Sequence, residues 1–143
     1  MKRIVSLCLV TLVAVSLSAQ WTRPTDVPAY NAAPPAKGQK LPPILMGLQL
    51  TGPNFRHASQ VASYKAAASI PKVLHQLPCY CYCDRGHGHN SLHSCFETEH
   101  GAQCSVCMEE ALFAAEMTHK GKTAKQIRQA IIRGEYKSVA LEN

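Results

Sequence analysis

The sequence predicts a small all-α protein: four to five short helices bundled around an irregular Cys/His loop, behind a disordered, proline-rich N-terminal tether. Three observations carry that reading. From Ala58 onward apolar residues recur at helical spacing, and no period-2 strand pattern of useful length occurs. Six of the seven cysteines and five of the seven histidines lie between His75 and Cys107. Pro24, Pro28, Pro34, Pro35, Pro42 and Pro43 crowd residues 20–43. A chain of 143 residues allows one small domain. It excludes large catalytic folds such as an eight-stranded βα barrel, which takes roughly 250 residues. With 6% aromatic residues, the core must rely on Ala, Leu, Ile and Val.

Residues 1–19 read MKRIVSLCLVTLVAVSLSA. Lys2 and Arg3 start an apolar run from Ile4 to Leu17, and Ser16, Ser18 and Ala19 supply small residues for cleavage. This is the layout of a secretory signal peptide, short for a bilayer span; an uncleaved anchor is the alternative. The protein is therefore expected to be exported, periplasmic or secreted, and to touch membrane only through this segment. Cys8 belongs to the signal. Losing Lys2 and Arg3 lowers the net charge from +6 to +4. No Lys/Arg run with interleaved aromatics remains, so nucleic-acid binding is unsupported.

Residues 20–57 read as a solvated extended tether, because this density of proline blocks helices and ladders. The Cys/His-rich helical domain is expected over 58–137, with 138–143 as a tail. The first helix runs from Ala58 to Ser69, with Ser59 as cap and Val61, Tyr64 and Ala68 on one face. Pro71 suits the first turn of a second helix to Gln76, with Val73 and Leu74 as its apolar contacts. Pro78 ends it. Asp84 to Asn90 (DRGHGHN) carries two glycines and reads as loop. Ser91 caps a short helix through Phe96, and Gly101 breaks the chain. A longer helix spans about Gln103 to His119, with Met108, Leu112, Ala115 and His119 down one side. Gly121 stops it. Thr123 and Gln126 form a capping box for a last helix, Ala124 to about Arg133, that buries Ile127, Ala130 and Ile131 before Gly134. Helices this short over so few residues make a marginal core, so bridges or a metal should supplement it.

Cys79, Cys81 and Cys83 alternate along the chain. In an extended strand their side chains share a face about 7 Å apart; in a turn they converge on one ion. Neighbouring thiols of this kind suit a shared soft metal, or separate bridges to other segments. Cys104 and Cys107 form a C-x-x-C at a helix start, where the dipole favours thiolate for redox and ligation alike. Cys95 lies between the two groups. His89 and His93 stand four apart, and His100 precedes Cys104 by four. The paired C-x-x-C knuckles of a zinc ribbon are absent.

PCYCYCD, then Gly88-His89 with Ser91, Leu92, Cys95 and Phe96, then His100-Gly101 with Cys104, Cys107, Glu110 and Ala111, resembles a family of exported bacterial proteins named for a PCYCGC or CYCXC motif. The lead-in Ala67 to Leu77 and the stretch Gly121 to Tyr136 also look like that family, so the resemblance covers about residues 58–136. The family is uncharacterised. Selenocysteine in some relatives implies redox chemistry or soft-metal affinity in the loop as a whole. Tyr82 stands where some relatives have Gly, which puts a tight turn there in question.

The leading expectation is a soft-metal site. Cys79, Cys81, Cys83, Cys95, Cys104 and Cys107, with His89 and His100, would hold copper as Cu(I) or zinc as Zn(II). The metal ion is then the partner; a protein partner and an enzymatic role are not specified. The second expectation is thiol–disulfide exchange at Cys104 and Cys107, with Cys104 attacking and His100 or His89 as acid–base partner. No βαβ pattern surrounds this pair, which disfavours a thioredoxin-like scaffold. The third is a binding module stapled by three disulfides. Blander roles suit the remaining residues. His57 and His75 read as surface or helix-face groups, and His87 as solvated or ligating. His119 favours the helix dipole, as does the Glu109-Glu110 pair. Met108 and Leu112 read as core, and Tyr80 and Tyr82 as shields for the sulfurs or plain packing.

Overall fold

The structure, a computed structural model, describes residues 26–142. The signal segment with Cys8, and residues 20–25 of the expected tether, lie outside the described residues. Five α-helices follow in order: α1 (Ala58–Ser69), α2 (Pro71–Leu74), α3 (Cys83–Gly86), α4 (Ser105–His119) and α5 (Ala124–Ile132). Short 3₁₀ turns occupy Gly47–Gln49, Leu92–Phe96, Glu99–Gln103 and Glu135–Ser138, and no strand occurs among the described residues. The fold is all-α. None of these helices is long and apolar enough to cross a membrane.

The helical base is α1 packed on α4, with α5 and the last 3₁₀ turn closing one side. The Thr123/Gln126 capping box forms: the Thr123 hydroxyl accepts from the Gln126 N–H and the Gln126 side chain accepts from the Thr123 N–H. Ile127, Ala130 and Ile131 are buried, and Gly134 ends the helix at φ 79°, where a side chain would cost about 1–2 kcal/mol. The start of α1 differs from expectation. His57 holds the cap position, and the Gln60 side chain accepts from its N–H at 2.9 Å. Ser59 instead points inward and is buried. The buried stripe of α4 is Cys107, Met108, Glu110, Ala111, Phe113, Ala114 and Ala115; of the expected line Met108 and Ala115 are buried, Leu112 is half-buried and His119 exposed.

Residues 26–57 are irregular, as the prolines require, but they are not a solvated tether. Pro28, Ile44, Leu50 and Phe55 are buried. The Leu45 N–H donates to the Phe96 carbonyl (3.1 Å), the Asn31 amide donates to the His75 carbonyl (3.0 Å), and the Ala29 N–H donates to Asp84 Oδ2 (3.0 Å). The physical reason is the spacing of large apolar side chains between the prolines. Burying each contributes about 1.5–3 kcal/mol against an ordering cost of roughly 1–2 kcal/mol per residue, and the hydrogen bonds to Phe96, His75 and Asp84 add to it.

Tyr64 of α1 joins this strap to the Cys/His loop. Its ring packs edge-on to Phe55 (5.1 Å) and Phe96 (4.9 Å). Its hydroxyl donates to the Thr98 carbonyl and accepts from the Ala102 N–H. Gly101 is required by close approach, and does not break the chain as expected; it sits inside the Glu99–Gln103 turn. A Cβ there would meet the Cys95 carbonyl at 2.9 Å and the Phe96 ring at 3.0 Å.

Candidate metal centre

The C-x-C-x-C run is a turn, not an extended strand. Leu77 and Pro78 are buried, and the Leu92 N–H donates to the Leu77 carbonyl (2.9 Å), fixing where the run begins. The Tyr82 N–H donates to the Cys79 carbonyl (3.1 Å). Tyr82 itself adopts φ 57°, ψ 31°, a left-handed conformation costing about 1–2 kcal/mol for a residue with a side chain. The Arg85 guanidinium lies 4.3 Å over its ring, and its hydroxyl donates to the Asp26 carbonyl (3.2 Å). The chain then enters α3 at Cys83, where the sequence had suggested loop from Asp84. The result is convergence: Cys79 and Cys81 sulfurs are 3.3 Å apart.

The other donors arrive from three further elements. Cys95 is fully buried in the Leu92–Phe96 turn, and His100 sits in the Glu99–Gln103 turn. Cys104 caps α4, with Cys107 buried one turn in. Cys107 Sγ lies 3.5 Å from Cys79 Sγ and 3.7 Å from Cys81 Sγ. Cys83 and Cys95 sulfurs are 3.4 Å apart, and His89 Nδ1 is 3.4 Å from Cys95 Sγ. His100 Nε2 is buried without a hydrogen-bond partner. All eight residues singled out in the sequence thus fall in one cluster.

Four sets of donors lie within 4.8 Å of one another: Cys83/His89/Cys95/His100, Cys81/Cys104/Cys107, Cys79/Cys81/Cys83 and Cys79/Cys95/Cys107. All six described cysteines are free thiols. The 3.3–3.7 Å sulfur separations among Cys79, Cys81 and Cys107 and between Cys83 and Cys95 are far from a disulfide bond of about 2.05 Å. They approach the edge of a tetrahedron with zinc–sulfur bonds of about 2.3 Å, roughly 3.8 Å. Clustered Cys and His donors at these distances can hold a metal.

The family described as "Protein of unknown function with PCYCGC motif" matches residues 53–140, well over half the chain. The chain belongs to the PCYCGC-motif family. No curated protein and no solved structure matches it. In this PCYCGC protein Tyr82 takes the place of the motif's glycine and still makes the left-handed turn.

Packing the thiols together sets their protonation. Hydrogen bonds from Cys104, Cys107 and Cys79 pull Cys81 well down. Cys79, which donates toward Cys107 and Cys81, is pushed up. At Cys104 the Cys107 contact lowers the value, but Cys81 and burial outweigh it. These contacts push the half-buried Cys81 down and Cys104 up. Burial and the neighbouring His100 and His87 hold His89 below its usual value, keeping it neutral and able to ligate.

Two features of the PCYCGC centre, Glu110 and His93, escaped the sequence reading, while His87 takes the solvated place that reading allowed. Glu110 does not serve the helix dipole at the surface. It is fully buried, accepts from the Tyr80 N–H at 2.9 Å through Oε1, and leaves Oε2 without a partner. Burial raises its carboxyl well above the ordinary range. Its spacing of three from Cys107 was the available signal, because i and i+3 share a helix face. His93 is also buried and pairs through Nδ1 with Glu97 (2.9 Å), away from the thiols. His87 stands exposed at the rim, its ring 4.6 Å from His100 and 5.7 Å from His89.

Proposed function

We propose that this PCYCGC protein binds and handles a soft metal, Cu(I) or Zn(II), on its Cys/His cluster after export from the cytoplasm. The observation that carries the reading is the gathering of six free thiols from three chain segments: Cys79, Cys81, Cys107 and the Cys83/Cys95 pair make sulfur contacts of 3.3–3.7 Å, Cys104 lies within 4.8 Å of Cys81 and Cys107, and His89 is 3.4 Å from Cys95. Thiolate and imidazole are the donors these ions select. His100, with its buried unpartnered nitrogen, supplies the kind of atom an ion satisfies. Export sharpens the argument. In an oxidising compartment closely packed thiols cross-link unless something occupies them, and a bound metal does so. Cys81, Cys104, His89 and His100 are only half-buried, so an ion held here is open to exchange, which favours handling over a purely structural role.

The experiment is metal analysis with thiol counting on full-length protein purified without reductant. Stoichiometric copper or zinc is expected, with Cys79 to Cys107 blocked to alkylation until a chelator is added. Three intact bridges without metal would instead support the stapled module. One labile Cys104–Cys107 bridge without metal, with Cys104 reacting fastest, would support thiol–disulfide exchange.

A further inference from the structure

The donor sets divide in a way that a single ion does not use. One set among the described residues has four members, Cys83, His89, Cys95 and His100; it mixes sulfur and nitrogen and has the number of donors that a tetrahedral site takes. Cys81, Cys104 and Cys107 form a separate set with no member in common with the first. Cys79 lies 3.3 Å from Cys81 and 3.5 Å from Cys107, so it adjoins the second set through two of its three sulfurs. In each remaining set Cys79 stands with one thiol from either side: Cys81 and Cys83 in one, Cys107 and Cys95 in the other. Its sulfur therefore marks the boundary between two adjoining compartments.

We propose that the centre holds two ions side by side: one in a two-sulfur, two-nitrogen compartment (Cys83, Cys95, His89, His100), the other in an all-sulfur compartment (Cys79, Cys81, Cys104, Cys107). This rests on the metal-binding reading and extends it to number and type. Eight donors fill two four-coordinate positions with none left over. The compartments differ chemically. Imidazole with thiolate suits Zn(II), whereas four thiolates accept Zn(II) or the softer Cu(I). Each compartment has two buried and two half-buried donors; the mixed compartment adjoins the exposed His87 ring, and Glu110 is buried one helical turn beyond Cys107.

The test is anaerobic reconstitution of reduced full-length protein with Zn(II) alone, followed by removal of loose metal, metal analysis and zinc X-ray absorption. Two zincs per chain are expected, with an average first shell of three sulfurs and one nitrogen. One zinc per chain overturns the proposal while leaving metal binding intact; no zinc, with no Cu(I) retained in a parallel anaerobic reconstitution, overturns the metal-binding reading itself. The double substitution His89→Ala with His100→Ala should lower the count from two to one and leave an all-sulfur shell. Cys104→Ser should lower it from two to one and leave a mixed shell. Either variant binding no zinc, or still two, while keeping its helical circular dichroism would contradict the division. Should a variant fail to fold, the count and average shell of the unsubstituted chain decide alone.

Discussion

The helical base and the Cys/His loop obey different rules. In the base, α1, α4 and α5 close over apolar side chains at helical spacing: Ala67, Ala111, Ala114, Ile127 and Ile131. In the loop, from Pro78 to Cys104, the elements are one or two turns long, and the interior holds five thiols facing Cys107 and the buried Glu110 of α4, with Leu92, Phe96 and Ala102 as its main apolar packing. The base can stand on burial of apolar surface. The loop has less apolar interior, so under the proposed function a bound metal would contribute to its order. Chemistry and stability are thus allotted to separate regions, joined at Tyr64.

Removing metal should separate the regions most strongly. A ligand at a thousandfold excess over its Kd stabilises by about 4 kcal/mol, so chelation should remove at least about that much from the loop. Amide exchange should accelerate over residues 79–104 and change little in α5; uniform acceleration would erase the distinction. Tyr64→Ala attacks the joint. It leaves a cavity between Phe55 and Phe96 and two unpartnered polar groups at Thr98 and Ala102, and should cost about 3–5 kcal/mol in urea unfolding. Gly101→Ala forces a methyl group against the Cys95 carbonyl and Phe96. About 1–3 kcal/mol should be lost, with the Cys95-containing compartment losing metal affinity as the turn shifts.

A smaller effect tests the turn in the motif. At Tyr82 the left-handed backbone should make Tyr82→Gly more stable than Tyr82→Ala by about 1 kcal/mol, the reverse of the ordinary order; thermal melts of the two variants compare them directly. The smallest concerns the N-terminal strap. Burial, with His93 nearby, lowers the His75 value from 6.5. A histidine with a depressed folded value contributes stability that is present above the unfolded value and lost as pH falls through the folded one. Acidification below about 6.5 should therefore loosen the strap at its Asn31 contact to His75 Nδ1 (3.3 Å). His75→Gln should abolish that pH dependence in the proteolysis rate of residues 26–45.

The base was largely legible in the sequence, because periodicity and capping are local. The Ala58–Ser69 limits and the Thr123/Gln126 box follow from spacing alone, as does the burial of Ile127 and Ile131. The membership of the cluster was legible too, from the density of Cys and His in one stretch. What was hidden depends on tertiary packing. The strap's prolines signal a lack of helix, but only its contacts with Tyr64 and Phe96 show that Phe55 and Ile44 are core. Burial of Glu110 depends on which side of α4 meets the Cys79 turn. Tyr82's conformation reverses local propensity, and contacts from Arg85 and Asp26 hold it there. The split of donors into two compartments needs three-dimensional distances, since Cys79, Cys81 and Cys83 are neighbours in sequence yet fall on both sides of the boundary.

The most direct test of the account is the native mass of the full-length chain kept free of oxygen and reductant, with peptide mapping of the cysteines after alkylation. The account predicts a mass raised by bound metal, with the cysteines from Cys79 to Cys107 modified only after chelation. A metal-free mass, with those six cysteines joined in three bridges, would contradict it.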